Sequence, residues 1–181
     1  MEKLQKLKED IKKVIRDIPD FPQKGILFRD IAPLFLHPDL CKQTLEALAE
    51  LATQNNSIDA VAGIESRGFL FGILLAHHLQ VPFFLIRKKG KLPGPTSIVE
   101  YKLEYGTAAI EMQKGYLKPG SRVLVHDDVL ATGGTAEAAA KLVLQEQGFV
   151  ACFAFLIELS VLNGRNKLKE IQAPIVSLLN Y

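Results

Sequence analysis

Two adjacent carboxylates, Asp127 and Asp128, stand just before the run Val129-Leu130-Ala131-Thr132-Gly133-Gly134-Thr135, and the two features call for complementary chemistry. From Ala131 onward the run is made of small residues, and the backbone N–H groups of Thr132, Gly133, Gly134 and Thr135 can converge on one anion. Glycine permits close approach, and the alanine-rich helix predicted to follow adds partial positive charge at its N-terminus. A phosphate is the anion that fits. The carboxylates would repel that phosphate directly, yet as acceptor-only groups they suit the vicinal hydroxyls of a ribose, or a metal ion and its waters. A ribose 5-phosphate satisfies both halves of the motif.

Such a site needs elements that hold it, and the hydrophobic pattern supplies them. The apolar run Val123-Leu124-Val125 reads as a buried strand that ends at the carboxylates, and the helix is predicted over 135–147. The same alternation recurs upstream and downstream: strand 58–64, helix 69–79, strand 83–86, strand 122–126, strand 150–157. Strands that are apolar throughout, alternating with helices, predict an α/β fold whose mostly parallel sheet is flanked by helices on both faces. Ligands in such sheets bind beyond the carboxyl ends of the strands. Glu65-Ser66-Arg67-Gly68 ends one predicted strand and Arg87-Lys88 ends another, so charged groups collect at the edge that carries Asp127 and Asp128.

The flanking segments break this pattern. Leu4, Leu7, Ile11, Val14, Ile15 and Ile18 recur at helical spacing, predicting an amphipathic first helix closed by Pro19 and Pro22. Residues 21–36 mix Gly, Pro and large apolar side chains and read as an irregular covering segment, with a second helix over 38–54. Between the halves, 88–118 opens on KKGKLPGP and continues into alternating segments 98–103 and 108–112. This predicts a long two-stranded excursion beyond the sheet, of the kind that is either disordered or a functional lid.

At 181 residues the chain is read as one domain, long enough to bury a core without disulfides. A net charge of +2 is too mild to argue for nucleic acid. The two cysteines, Cys41 and Cys152, sit in apolar or helical contexts, which suits a reduced compartment. The charged N-terminal segment has no apolar stretch of a secretory signal, and the longest apolar runs, 69–76 and 150–157, fall short of the ~20 residues a membrane span needs. A cytoplasmic protein is expected.

The segment 123–135 resembles the phosphoribosyl pyrophosphate (PRPP) signature of the type I phosphoribosyltransferases. FPQKGILFRDI (21–31), GIESRGFLFG (63–72), LIRKKGKLPGPT (85–96), YKLEYG (101–106) and LIELSVLNGRNKL (156–168) resemble the adenine phosphoribosyltransferases, in that family's order and over nearly the whole chain. The resemblance implies the type I phosphoribosyltransferase fold, with an N-terminal hood of about 1–36 and a long flexible lid of about 88–118. It implies displacement of diphosphate from PRPP by a ring nitrogen of adenine to give AMP, with Mg2+ held mainly by PRPP and water and reaching the protein near Asp127. Phosphate falls to Ala131, Thr132, Gly133, Gly134 and Thr135, and the pyrophosphate to Glu65, Ser66, Arg67, Arg87, Lys88 and Lys91, where Arg suits bidentate contacts and Lys acts as a point charge. Asp127 and Asp128 hold the ribose and favour its cationic form. Glu104 becomes the catalytic residue of the lid, beside Tyr105, and closure excludes water. Leu27, Phe28 and Arg29 of the hood, with Leu159 opposite, take the adenine, Phe28 by stacking. The family also implies a homodimer that acts without nucleic acid or membrane.

Two positions depart from the pattern. His126 stands where an apolar residue is usual, and strand alternation turns it away from Asp127, so it is read as a structural histidine. Glu65 stands where Asp is frequent, which leaves its hydrogen bonds as the open question. A PRPP-fold regulator of nucleic acid is disfavoured by the mild charge and the short N-terminal segment, and a 6-oxopurine enzyme by the match in the hood.

Overall fold

The computed structural model describes residues 2–102 and 106–181, which form two units, Met1–Ala47 and Leu48–Tyr181. In the first, α1 (Glu2–Val14) leads into a hairpin of β1 (Arg16–Pro19) and β2 (Leu27–Asp30), then a 3-10 turn (Ala32–Leu36). The first helix stops short of its apolar pattern: Ile18 lies in β1, antiparallel to β2 and opposite Phe28. The residue before a proline is pushed from helical toward extended backbone, and Pro19 acts on Ile18 in this way. Ion pairs Arg16–Asp30, 3.0 Å at Nε, and Arg29–Asp17 fasten the hairpin. The stretch predicted to be irregular thus contains a strand and a 3-10 turn. The helix α2 (Pro38–Thr53) follows the predicted span and runs into the second unit.

The second unit contains β3 (Ala60–Ile64), α3 (Gly68–Leu79), β4 (Phe83–Lys88), β5 (Thr96–Lys102), β6 (Thr107–Gln113), β7 (Arg122–Leu130), α4 (Gly134–Gln145), β8 (Phe149–Glu158), α5 (Arg165–Leu168) and β9 (Ile175–Asn180). Among the described residues the strands lie in the order β5-β6-β4-β3-β7-β8-β9, with β4, β3, β7, β8 and β9 mutually parallel. The predicted mostly parallel α/β sheet is therefore present, with two differences. The β5–β6 hairpin does not lie beyond the sheet: β4 runs two residues past Ile86, and Arg87 and Lys88 pair with Glu111 and Ile110 of β6. The C-terminal strand β9, which local pattern did not reveal, pairs with β8.

Helices sit on both faces because their small residues allow it. On one face the alanines of α4, with Leu142 and Val143, pack into a core with Val123, Val125, Phe153 and Phe155. On the other, Gly63 and Gly72 leave room for the Phe83 ring, which a Cβ on either would meet at 2.6 and 2.9 Å. No helix among the described residues is long and apolar enough to cross a membrane, and both cysteines are free thiols.

Candidate active site

Strand order reverses between β3 and β7: the chain passes from β3 to β4 on one side and from β7 to β8 on the other. The crevice beyond the carboxyl ends of strands at such a point is where open α/β sheets bind ligands. Glu65-Ser66-Arg67, Arg87-Lys88 and Asp127-Asp128 with the loop that follows all lie at this end of neighbouring strands.

Asp127 and Asp128 lie inside β7, which continues to Leu130, rather than after its end as the local pattern predicted. The longer strand arises because β8 pairs with it as far as Leu130 opposite Glu158. Alternation places Asp127 on one face and His126 and Asp128 on the other. Asp127 Oδ1 accepts the Asp128 N–H at 2.8 Å. Asp128 is buried, its Oδ2 is 3.0 Å from Arg67 Nε as an ion pair, and among the described residues that oxygen accepts no hydrogen bond. Burial pushes both carboxyls above the ordinary carboxylate value. The Asp128 charge raises Asp127 further, and the Arg67 guanidinium pulls against both shifts.

Beyond β7, Ala131, Thr132 and Gly133 form a loop, and α4 begins at Gly134. Gly133 has φ +82°, a left-handed conformation that suits glycine. Asp127 and residues 129–136 line a cavity of about 60 Å³, small enough for a single anion. The hydroxyl of Thr135 lies 3.3 Å from that of Tyr101 in β5. Behind the loop stands Gly164, where a Cβ would come within 2.2 Å of the Ala131 carbonyl and 3.1 Å of Gly133 N. The pattern of residue types did not single out Gly164. Its sequence signal is the lone glycine in LNGRNKL.

The open question at Glu65 has an answer. Its carboxylate takes both Arg87 Nε and Nη2, at 3.2 and 3.1 Å, and the Lys88 N–H at 3.0 Å. The Arg87 hydrogen bonds outweigh burial and hold the Glu65 carboxyl below its ordinary value. Arg87 therefore faces Glu65, while the exposed Lys88 and Lys91 form no ion pair among the described residues. Ser66 accepts the Phe69 N–H at the start of α3. At that same start, Gly68 permits close contact with β7: a Cβ there would meet the His126 carbonyl at 2.8 Å and Asp127 Oδ1 at 3.0 Å.

His126 is fully buried, with Nδ1 2.8 Å from the Ala154 carbonyl. A carbonyl only accepts, so Nδ1 carries the proton and Nε2 is a lone-pair acceptor, buried without a hydrogen-bond partner. Burial lowers its pKa to about 4, so it is neutral at pH 7. The structural reading of His126 agrees with this environment.

Leu159 follows β8, half-buried, and donates its N–H to the Leu130 carbonyl at 2.9 Å, tying it to the end of β7. Leu27, Phe28 and Arg29 belong to β2 in the first unit, where Phe28 meets Phe21 edge-on at 5.0 Å. Glu104 and Tyr105 lie outside the described residues.

A model of the phosphoribosyl transferase domain matches residues 35–180. The adenine phosphoribosyltransferase of Cytophaga hutchinsonii is 49% identical over 175 residues, covering 97% of this chain and 96% of that protein. That of Trichormus variabilis is 50% identical over 173 residues, 95% and 99% of the two chains. Among solved structures, the enzyme of Rhodothermus marinus superposes with a TM-score of 0.92 at 50% identity, over 98% of this chain and 99% of its own. The Saccharomyces cerevisiae enzyme, complexed with an imino-altritol bisphosphate and adenine, gives 0.90 at 41% identity, over 97% and 99%. A domain match across most of the sequence and relatives of this identity aligned nearly end to end lead to one conclusion: the chain belongs to the adenine phosphoribosyltransferase family.

Proposed function

We infer that this chain transfers the 5-phosphoribosyl group of PRPP to adenine, releasing AMP and diphosphate. The observation that carries this reading is the presence, at the strand ends beside the β3–β7 reversal, of a carboxylate pair with Asp128 buried, an anion-sized cradle and exposed lysines. The N–H groups of residues 131–135 hold the 5-phosphate. Asp127 and Asp128 accept the ribose hydroxyls and favour positive charge on the ring as the bond from the anomeric carbon to diphosphate breaks and a ring nitrogen of adenine bonds to that carbon. Ser66, Arg67, Lys88 and Lys91 hold the diphosphate, with Glu65 and Arg87 shaping the loop as a pair. Preorganised charge of this kind is the largest source of rate in such reactions.

Adenine lies against Phe28 and Leu159, its edge read by the backbone of Leu27 and Arg29. A backbone carbonyl there accepts from an exocyclic amine and repels an oxo group, which selects adenine over hypoxanthine. Glu104 stabilises charge or relays a proton at the base or ribose, and Tyr105 closes with it as the lid. The donor set suits Mg2+, because Asp127 and Asp128 offer hard oxygens, one of them buried, paired with Arg67 and without a hydrogen bond among the described residues, to an ion that shares its shell with substrate phosphates. When bound, Mg2+ neutralises charge on the departing diphosphate. The chain is read as a single phosphoribosyltransferase domain over 1–181, with a hood of about 1–36 and a lid of about 88–118, and as a cytoplasmic homodimer.

The test is AMP formation from adenine, PRPP and Mg2+, with hypoxanthine, guanine and xanthine in parallel. Product with adenine alone is expected. Product with an oxopurine removes the base-site assignment, and PRPP binding without turnover removes the enzyme reading.

A further inference from the structure

Glu111 is buried in β6, and no step of the reaction uses it. Its neighbours in the sequence are apolar, and a carboxylate in that setting is costly unless its lone pairs are taken. They are: Oε1 accepts the N–H groups of Lys91 and Leu92, each at 2.8 Å, and Oε2 accepts the Thr96 hydroxyl at 3.1 Å. Burial alone would raise this carboxyl, yet the N–H donors of Leu92, Gly90 and Lys91 and the Thr96 hydroxyl hold it below the ordinary carboxylate value. The loop after β4 is thus fastened at both ends by different carboxylates. Glu65 takes Arg87 and the Lys88 N–H, Glu111 takes the Lys91 and Leu92 N–H groups, and Arg87 Nη1 closes the turn by donating to the Lys91 carbonyl at 3.1 Å. Backbone N–H groups that could cradle an external anion are filled from inside, which leaves the exposed side chains of Lys88 and Lys91 to meet a ligand.

We propose that Glu111 is a positioning residue for diphosphate: by accepting the Lys91 and Leu92 N–H groups it fixes the loop that presents Lys91 to the leaving group. This rests on the reading that Lys91 holds diphosphate. The sign of its effect separates positioning from charge. Removing a negative charge near Lys91 would by electrostatics alone tighten an anion, whereas releasing the loop weakens it.

The experiment measures inhibition by diphosphate, KM for PRPP, KM for adenine and AMP binding for the wild type, Glu111→Ala, Glu111→Gln and Lys91→Ala. In Glu111→Ala, diphosphate affinity falls and KM for PRPP rises about tenfold, as loss of charge-assisted hydrogen bonds predicts, while AMP binding and KM for adenine stay within about twofold. Glu111→Gln recovers most of the loss, because its amide oxygen still accepts both N–H groups and its NH2 donates to Thr96. Unchanged or tighter diphosphate binding in Glu111→Ala overturns the proposal, as does an equal loss of AMP binding. If Glu111→Ala does not fold, Thr96→Val removes one donor from the same carboxylate. A smaller loss confined to diphosphate and PRPP supports the proposal, and no such loss overturns it. Lys91→Ala tests the underlying reading separately. If it leaves diphosphate affinity unchanged, the Lys91 assignment falls and the proposal with it, whereas a loss in Lys91→Ala without one in Glu111→Ala removes the proposal alone.

Discussion

Gly164 illustrates how a residue without functional groups can back the loop after β7, the proposed phosphate cradle. Its backbone is right-handed helical, so conformational freedom is not the reason for glycine here. The reason is space: a methyl group would need to lie within 2.2 Å of the Ala131 carbonyl, a backbone atom with nowhere to retreat, and Gly133 in turn has the Gly164 carbonyl 2.5 Å from the position of its own absent Cβ. Gly164→Ala must displace the cradle. Misplacement of about an ångström at a preorganised site costs on the order of a hundredfold, so AMP affinity in Gly164→Ala is expected to fall ten- to a hundredfold, roughly. Calorimetric titration with AMP checks this, and unchanged affinity would show that the cradle does not depend on its backing.

Elements set the electrostatic character of what they carry, and β7 shows it in three successive residues. His126, on the face of β7 opposite Asp127, is buried and neutral, whereas Asp127 and Asp128 are held as a pair with raised carboxyl pKa values. For His126 the folded-state pKa of about 4 lies below the ordinary imidazole value of 6.5. The unfolded chain therefore binds a proton that the folded chain refuses, and stability is lost as pH falls from 6.5 to about 4. The gap is worth about 3 kcal/mol. His126→Val removes the buried unpaired nitrogen and with it this part of the acid dependence. Urea unfolding at pH 7 and pH 5 should show a smaller loss in the variant, and equal losses would mean that His126 is protonated or solvated in the folded state. The β5–β6 hairpin provides the second lesson. Its union with β4 places Glu111 opposite Arg87, so the element read as an excursion is also the frame of the loop carrying Lys88 and Lys91.

At the scale of the whole molecule, α3 is apolar beyond what one buried face requires. Phe71 and Leu75 are buried in the sheet side, yet Leu70 and Ile73 remain 42% and 50% exposed, and a helix apolar on all sides is one that is covered on all sides. The proposed homodimer would place a second copy of the chain against this face. Sedimentation of the wild type is expected to give a dimer and Ile73→Glu a monomer, since burying an unpaired carboxylate in such a contact is costly. A dimeric Ile73→Glu would move the interface elsewhere, and a monomeric wild type would end the homodimer reading.

The small-residue loop after β7, the carboxylate pair and the alternating α/β order were legible in the linear chain because each depends on local properties: small residues at a strand end, acceptor-only side chains beside them, and apolar periods of two or 3.6 residues. Element ends were less legible. β1 ended α1 early, β7 ran past its carboxylates, and β9 carried no distinct signal, since strand limits are decided by partners distant in sequence. The same holds within the site. That Arg87 answers Glu65, that Glu111 fastens the lysine loop, and that Gly164 must stay bare depend on contacts between segments many residues apart. A residue's type states which bonds it can make. Only the packed fold decides which of them are within reach, because burial and register are properties of the assembled sheet and of no single segment.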